Sequence, residues 1–405
     1  MPPALDVAAL SERIARLAPV SLAAELVRIP SHPGIDRQEE AVARHLATWL
    51  ERHGVAVELD EAAPGRPNLL ASVAGAGAGR SLLLCGHTDT VPLNADDPGV
   101  GFAGELRGGR LFGRGAVDMK GAVAAMAAAL VAARELLPAG ELALAAVVDE
   151  EMESIGAERL VAAGPRADGA VVGEPTSNRL ALGHKGLEWL EVRFTGRAAH
   201  GGSPEAGINA IDGAARFVAA VDRCLRPRLA ARRHPLLGPP TLNFGTVAGG
   251  DQPSTVAASC RLTLDRRTVP GETYASVVAE LEELLAEVVA VMPGLAARIE
   301  RVPGGMGTLE HVALETPVAA PIAAAAARAA ALARGVAEPP VAFPAWTDGA
   351  LLAGFAGIPT VVFGPGELAL AHSPRESVAT GEIDETALVY LLLALDFCSG
   401  RQDGA

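Results

Sequence analysis

The sequence predicts an α/β fold with a mixed central sheet, interrupted by an inserted α+β unit, and three observations carry that reading. Short apolar runs of strand length alternate with longer helical runs up to Val148, and the same alternation returns after Val302. Residues 186–302 carry a complete strand and helix series of their own. A chain of 405 residues also has room for two domains, at about 100–200 residues each. The expected division is 1–185 with 303–405 for the outer domain and 186–302 for the insert.

The chain opens with helices. Val7, Leu10, Ile14 and Leu17 recur at helical spacing, and a second helix over Glu39–His53 stops at Gly54, a residue suited to a left-handed cap. Strands follow at Val55–Leu59, Leu69–Val73 and Ser81–Cys85, then a helix over Lys120–Leu137 and a strand over Glu141–Val148. The Gly75, Gly77, Gly79 run between two of these strands lacks the helix and the downstream acid of a dinucleotide-binding turn, and reads as a loop. In the insert, Leu187–Thr195, Thr241–Val247, Thr255–Arg266 and Ala297–Val302 read as strands, and Glu205–Leu225 and Glu272–Val291 as helices. Afterwards come helices at Pro317–Gly335 and Asp348–Phe355, strand Pro359–Phe363, and a last helix from Glu382.

Half of the residues are hydrophobic and only 3% are aromatic, so alanine and branched aliphatics must fill the core. The net charge of −14, with no segment gathering Lys and Arg, argues against nucleic acid or an anionic membrane as partner and for a small solute. The uncharged run Ala122–Ala133 is shorter than the ~20 residues of a membrane span and reads as a buried helix. Asp6, Glu12, Arg13 and Arg16 break up the first apolar segment, unlike a secretion signal. Cys85, Cys224, Cys260 and Cys398 are scattered without a CxxC pair, which fits reduced thiols and a cytoplasmic location.

Five clusters place His or carboxylate residues just after strands, where an α/β sheet presents ligands at a common edge. They are His87 and Asp89 in GHTDTVP, Asp118 in GRGAVDMKG, Glu150 and Glu151 in VVDEE, Glu174 in VVGEPT, and His372 in LALAHSPRE. Singly, each histidine reads as a hydrogen-bonded loop residue and the acidic triplet as a solvated turn. Jointly they supply imidazole nitrogen and carboxylate oxygen for a pair of zinc ions, with cobalt(II) or manganese(II) as alternatives. Asp89, two residues from His87, is placed to accept its free N–H. Of the adjacent acids at 150 and 151, one can bind metal while the other takes a proton from water activated by the metal.

GHTDTVP, GRGAVDMKG, DEE, GEPT, AAHGGSPEAGINAI and IPTVVFGPGELALAH, in that order over nearly the whole chain, closely resemble the dinuclear zinc family of acetylornithine deacetylases, succinyl-diaminopimelate desuccinylases and glutamate carboxypeptidases. The resemblance implies a zinc-peptidase-like catalytic domain and a ferredoxin-like lid and dimerisation insert. It assigns His87 and Glu174 to one ion, Glu151 and His372 to the other, Asp118 as the bridge, Glu150 as general base and Asp89 as the group orienting His87. It places His200 at the partner subunit's active site as an oxyanion donor. Arg267, with Arg266 as the competing register, and Asn243 become substrate contacts, and Thr347 and Asp348 lie in a substrate-side loop. Glu rather than Asp at 174 points away from aminopeptidases.

The implied reaction is hydrolysis of the amide bond of an N-acyl amino acid by a homodimer; the insertion itself, with Gly183 and Gly186 at its entry, suggests a hinge for lid closure. A dipeptidase or glutamate-type carboxypeptidase on the same donor set is the alternative. A catalytically inactive dimeric metal-binding scaffold is disfavoured, since every ligand and Glu150 are present.

Overall fold

A computed structural model of the chain describes residues 6–95, 99–304 and 307–400. The expected domain ends at residues 1 and 405 lie outside them. The chain divides into two compact units, one running to Gly183 and resuming at Leu314, the other formed by His184–Ala313.

The first unit opens with α1 (Val7–Leu17), whose first turn Asp6 caps by accepting from Ala9 N at 3.1 Å, then α2 (Pro19–Val27) and α3 (Glu40–Arg52). Strands β1 (Val57–Ala63), β2 (Arg66–Ala74) and β3 (Gly77–His87) follow, then the short β4 (Glu105–Arg107) and β5 (Arg110–Phe112). Next come α4 (Gly121–Ala133), β6 (Ala139–Val147), α5 (Ile155–Ala162), β7 (Gly169–Val172) and β8 (Ala181–His184).

In the second unit, β9 (Gly186–Thr195), α6 (Ala210–Ala220), α7 (Arg226–Ala231), β10 (Thr241–Gly249), β11 (Ser259–Thr268), α8 (Tyr274–Ala290) and β12 (Ala296–Arg301) succeed one another. The chain then returns through β13 (Leu314–Glu315), α9 (Pro321–Arg334), β14 (Val341–Phe343), α10 (Gly349–Phe355), β15 (Thr360–Val362), β16 (Ser377–Ala379) and α11 (Thr380–Phe397).

The large sheet has the order β1-β2-β6-β3-β7-β15-β8-β13, with β14 beside β8. Its centre, β6-β3-β7-β15, is parallel, while β1-β2 and β2-β6 are antiparallel, so the sheet is mixed. Every residue of α4 is buried, because the helix packs against α11 and α2 as well as β6 and β3, and its alanines let these neighbours approach. The stretch Ala116–Ala133 is long and apolar enough to cross a membrane by length and composition, and all of it is buried in this unit.

The second unit is a βαββαβ arrangement with antiparallel order β10-β11-β9-β12, a ferredoxin-like topology. Leu190, Val192 and Phe194 alternate along β9 onto one face, where Leu262 and Leu264 of β11 join Phe217 of α6 and Leu281, Leu284 and Val288 of α8.

Several expectations are corrected. The insert runs past residue 302 to Ala313, because Leu187 N donates to His311 O at 2.8 Å and ties the returning chain to β9. Strand β11 starts at Ser259 rather than Thr255, since Val256 N is used by Ala199 O at 2.9 Å. Helix α6 starts only after Asn209, whose side chain accepts from Ile211 N at 2.9 Å. Gly77 and Gly79 lie within β3 rather than in a loop; a Cβ on Gly79 would meet Cys398 O at 2.1 Å, so glycine serves close backbone approach there.

Candidate metal centre

The four central parallel strands end at one edge, and the loops leaving them carry the donors. β3 ends on His87, β6 leads to Glu150 and Glu151, β7 leads through Gly173 to Glu174, and the segment after β15 reaches His372. Asp118 comes from the turn before α4, whose Asp118–Met119 peptide is cis. Gly86 and Gly173, each one residue before a donor, admit the side chains of that segment. A Cβ would lie 2.6 Å from Met119 Cε at Gly86 and 2.5 Å from Met126 Cε at Gly173.

The donors converge. Asp118 turns one oxygen to each histidine, with Oδ1 3.0 Å from His87 Nε2 and Oδ2 3.2 Å from His372 Nε2. His372 Nε2 is also 2.9 Å from Glu151 Oε1, and His87 Nε2 is 3.7 Å from Glu174 Oε1. His87, Asp118 and Glu151 present donor atoms within 4.8 Å of one another, and so do His87, Glu150 and Glu174. His87 is common to these two groups, and Asp118 stands between His87 and His372 with one oxygen toward each, the placement a bridging carboxylate requires.

The electrostatics point to cations. Asp118, Glu150, Glu151 and Glu174 gather around His87 and His372, and among the described residues buried Glu174 Oε1 finds no hydrogen-bond donor. Burial, then the neighbouring Glu174, pushes Glu150 well above the usual carboxylate range, and burial with Asp118 does the same to Glu174. Burial opposes charge on His87, yet Asp118 and Asp89 hold it well above the usual imidazole range. Asp118 and Glu151 push His372 up to about 10. Surplus carboxylates gathered around two imidazoles make an oxygen and nitrogen donor set that fits divalent metal ions.

Asp89 is fully buried and joins two ligand loops. His87 Nδ1 donates to the Asp89 backbone oxygen at 3.1 Å, with carboxylate Oδ1 farther away at 3.4 Å. The two carboxylate oxygens instead accept from Glu150 N and Glu151 N, each at 3.1 Å. The expected orientation of His87 therefore comes first through the main chain. The sequence reading missed further supports of the same loops: Arg66, which joins Glu39 and Asp149, and Glu376 with Arg114. Glu376 lies in the HSPRE motif, four positions after His372, and that proximity was the available signal.

Thr347 and Asp348, expected on the substrate side, are 0% and 2% exposed, as buried as the ligand His87. Thr347 Oγ1 accepts from Gly349 N at 3.1 Å, and burial pushes the Asp348 carboxyl up to about 7. They stand at the start of α10, with the Asp348 carboxylate close enough to Glu150 and Glu174 to act on both electrostatically.

In the second unit, His200 is exposed and its Nδ1 accepts from Gly202 N at 3.0 Å, which leaves Nε2 as the nitrogen able to donate. Arg266 is buried and bound to Glu272 at 2.6 Å, so it is structural. Arg267 is the partly exposed one of the pair and forms a fork with Asp265 at 2.8 and 3.0 Å. Asn243 pairs in register with Asp265 on the neighbouring strand and is exposed.

The model of peptidase family M20/M25/M40 matches residues 83–396. The acetylornithine deacetylase of Proteus mirabilis (strain HI4320) is 33% identical over 396 residues, covering 94% of this chain and 96% of the relative. That of Aliivibrio fischeri (strain MJ11) is 30% identical, covering 90% and 93%. Among solved structures, aminopeptidase PepT from Bacillus cereus ATCC 10987 superposes with a TM-score of 0.77 at 21% identity, covering 95% of this chain and 98% of that one. The Bacillus subtilis YXEP protein, described as a dinuclear metal binding peptidase, gives 0.72 at 15% identity, covering 96% and 99%. These two likenesses show the fold, and with the family match and the curated relatives they lead to one conclusion: the chain belongs to peptidase family M20/M25/M40.

Proposed function

We propose that this chain, a metal-dependent amide hydrolase by its family, removes the acyl group from an N-acyl amino acid, with N-acetylornithine the first substrate to try. The observation that carries the reading is Asp118, with one oxygen toward His87 and the other toward His372. His87 and Glu174 would hold one zinc ion, Glu151 and His372 the other, and Asp118 both. Bound there, the ions would supply Lewis acidity and lower the pKa of a water molecule.

The chain's own residues do the rest. Glu150 takes a proton from the attacking water and returns it to the leaving amine. Asp89 holds Glu150 and Glu151 in place through their main-chain N–H groups. His200 would offer its Nε2–H to the oxyanion of the tetrahedral intermediate, from the partner subunit of a dimer. Arg267 would exchange Asp265 for the substrate's carboxylate, and Asn243 would stand beside it. A panel of N-acetylornithine, N-succinyl-diaminopimelate, other N-acyl amino acids and dipeptides, with and without chelator, tests the proposal. Preference for a dipeptide would replace the deacylase reading with the peptidase one.

The homodimer proposal rests on β10, an edge strand with an exposed Val247. It borders an apolar groove of about 270 Å³ lined by Ile211, Ala214, Val218, Phe244, Val247 and Leu262. An unpaired edge of this kind suits pairing with the same strand of a second copy. Val247→Lys is expected to give a monomer in light scattering, and an unchanged mass at wild type and variant alike would remove the proposal.

A further inference from the structure

We infer that Glu376, braced by Arg114, is a positioning residue that fixes the bridging Asp118 relative to His372 and so sets the affinity of the second metal ion. The inference rests on the dinuclear reading of the site. Glu376 is fully buried, and its Oε1 accepts from Gly115 N at 2.9 Å, Val117 N at 3.1 Å and Asp118 N at 3.3 Å. Those N–H groups belong to the turn that presents the Asp118 carboxylate. Oε2 is engaged by the buried Arg114 guanidinium, which also donates to Asn94 Oδ1 at 3.1 Å.

The same residue is tied to the histidine loop by covalent continuity, and that loop is fastened to the Asp118 side by its main chain. Gly113 N donates to Glu376 O at 3.2 Å, and Val100 N donates to Pro374 O at 3.1 Å. His372 sits at φ 58°, outside regular structure, so its direction depends on these fastenings rather than on a helix or strand. One carboxylate therefore joins the segment carrying the bridge to the segment carrying a histidine ligand. Asp89 does the corresponding work between His87 and the Glu150–Glu151 loop. A carboxylate is required because it accepts several N–H bonds while carrying the charge that Arg114 answers. An amide at this position would turn a donor toward the guanidinium.

The test is metal binding rather than turnover alone. Metal-free wild type, Glu376→Gln and Arg114→Met are titrated with Zn²⁺ against a competing chelator, with circular dichroism and the metal-free melting midpoint as controls of folding. Wild type is expected to bind two ions. Glu376→Gln is expected to bind one as wild type does and the other about 10–100-fold more weakly, the usual effect of removing a group that holds a ligand. Excess Zn²⁺ should restore its kcat with KM unchanged.

Arg114→Met keeps the carboxylate but not its counter-charge and should weaken the same ion, which carries the test where Glu376→Gln does not fold. Wild-type affinity for both ions in a folded Glu376→Gln, or in Arg114→Met, would overturn the inference. Fewer than two ions bound by wild type would instead overturn the dinuclear reading.

Discussion

Replacing Glu150 with Gln separates proton transfer from metal binding. The two side chains have nearly the same shape, and the main chain at 150 is held by Asp89 Oδ1 at 3.1 Å whichever is present. Only proton acceptance is lost. General acid–base catalysis contributes about 10²- to 10⁴-fold, so kcat should fall by that factor, equivalent to about 3–5 kcal/mol at the transition state. The assay is amine release under saturating substrate, paired with elemental analysis of the protein after gel filtration. Two ions should remain, because the five proposed ligands, His87, Glu174, Asp118, Glu151 and His372, do not include residue 150. A refuting result is specific: Glu150 also lies within 4.8 Å of His87 and Glu174 donor atoms, so loss of an ion would make it a ligand rather than the base.

Arg266 and Arg267 should behave oppositely although adjacent. Arg266→Ala removes one partner of a buried ion pair and should destabilise by about 3–5 kcal/mol, read as a lower unfolding midpoint. Arg267→Ala should leave that midpoint near wild type and raise KM about 10- to 100-fold through loss of a charge-assisted contact, and an unchanged KM would remove it from the substrate site. His184 supplies a pH dependence: burial holds it at about 4, below the ordinary 6.5, so its contribution is complete above pH 6.5 and is lost as pH falls toward 4. That is about 3 kcal/mol, and His184→Phe should lose correspondingly less stability than wild type between pH 7.5 and 4 in denaturant titrations. Gly364→Ala, whose methyl would lie 2.1 Å from the main-chain oxygen of Gly173, should cost about 1–3 kcal/mol and lower the melting midpoint by several degrees.

The donor set was legible in part because His87, Glu150, Glu151 and Glu174 follow ends of parallel strands, which the sheet collects on one edge, whereas Asp118 comes from the turn before α4 and His372 from a loop well past β15. The insert's strands were legible for a different reason: alternation of Leu190, Val192 and Phe194 with Glu191, Arg193 and Thr195 is a period-two signal. Where that signal fails, elements were missed. β7, Gly169–Val172, is buried throughout and too short to show a period, as is β8. Gly77 and Gly79 carry no side chain to alternate, so the start of β3 read as a loop.

Residues that act on the donors from behind were harder still. Glu376 and Arg114 lie far apart in sequence, and only the fold joins them. Thr347 and Asp348 were singled out only by family resemblance, since no spacing in the sequence shows that Asp348 comes near Glu150 and Glu174.

The central claim is a dinuclear amide hydrolase, and one titration addresses it most directly. Metal-free protein receives Zn²⁺ in fractions of an equivalent while amine release from N-acetylornithine is followed. The account predicts activity that rises to a plateau at two equivalents per chain and disappears with chelator. Full activity in the metal-free protein, or a plateau at one equivalent with no second ion bound, would contradict it.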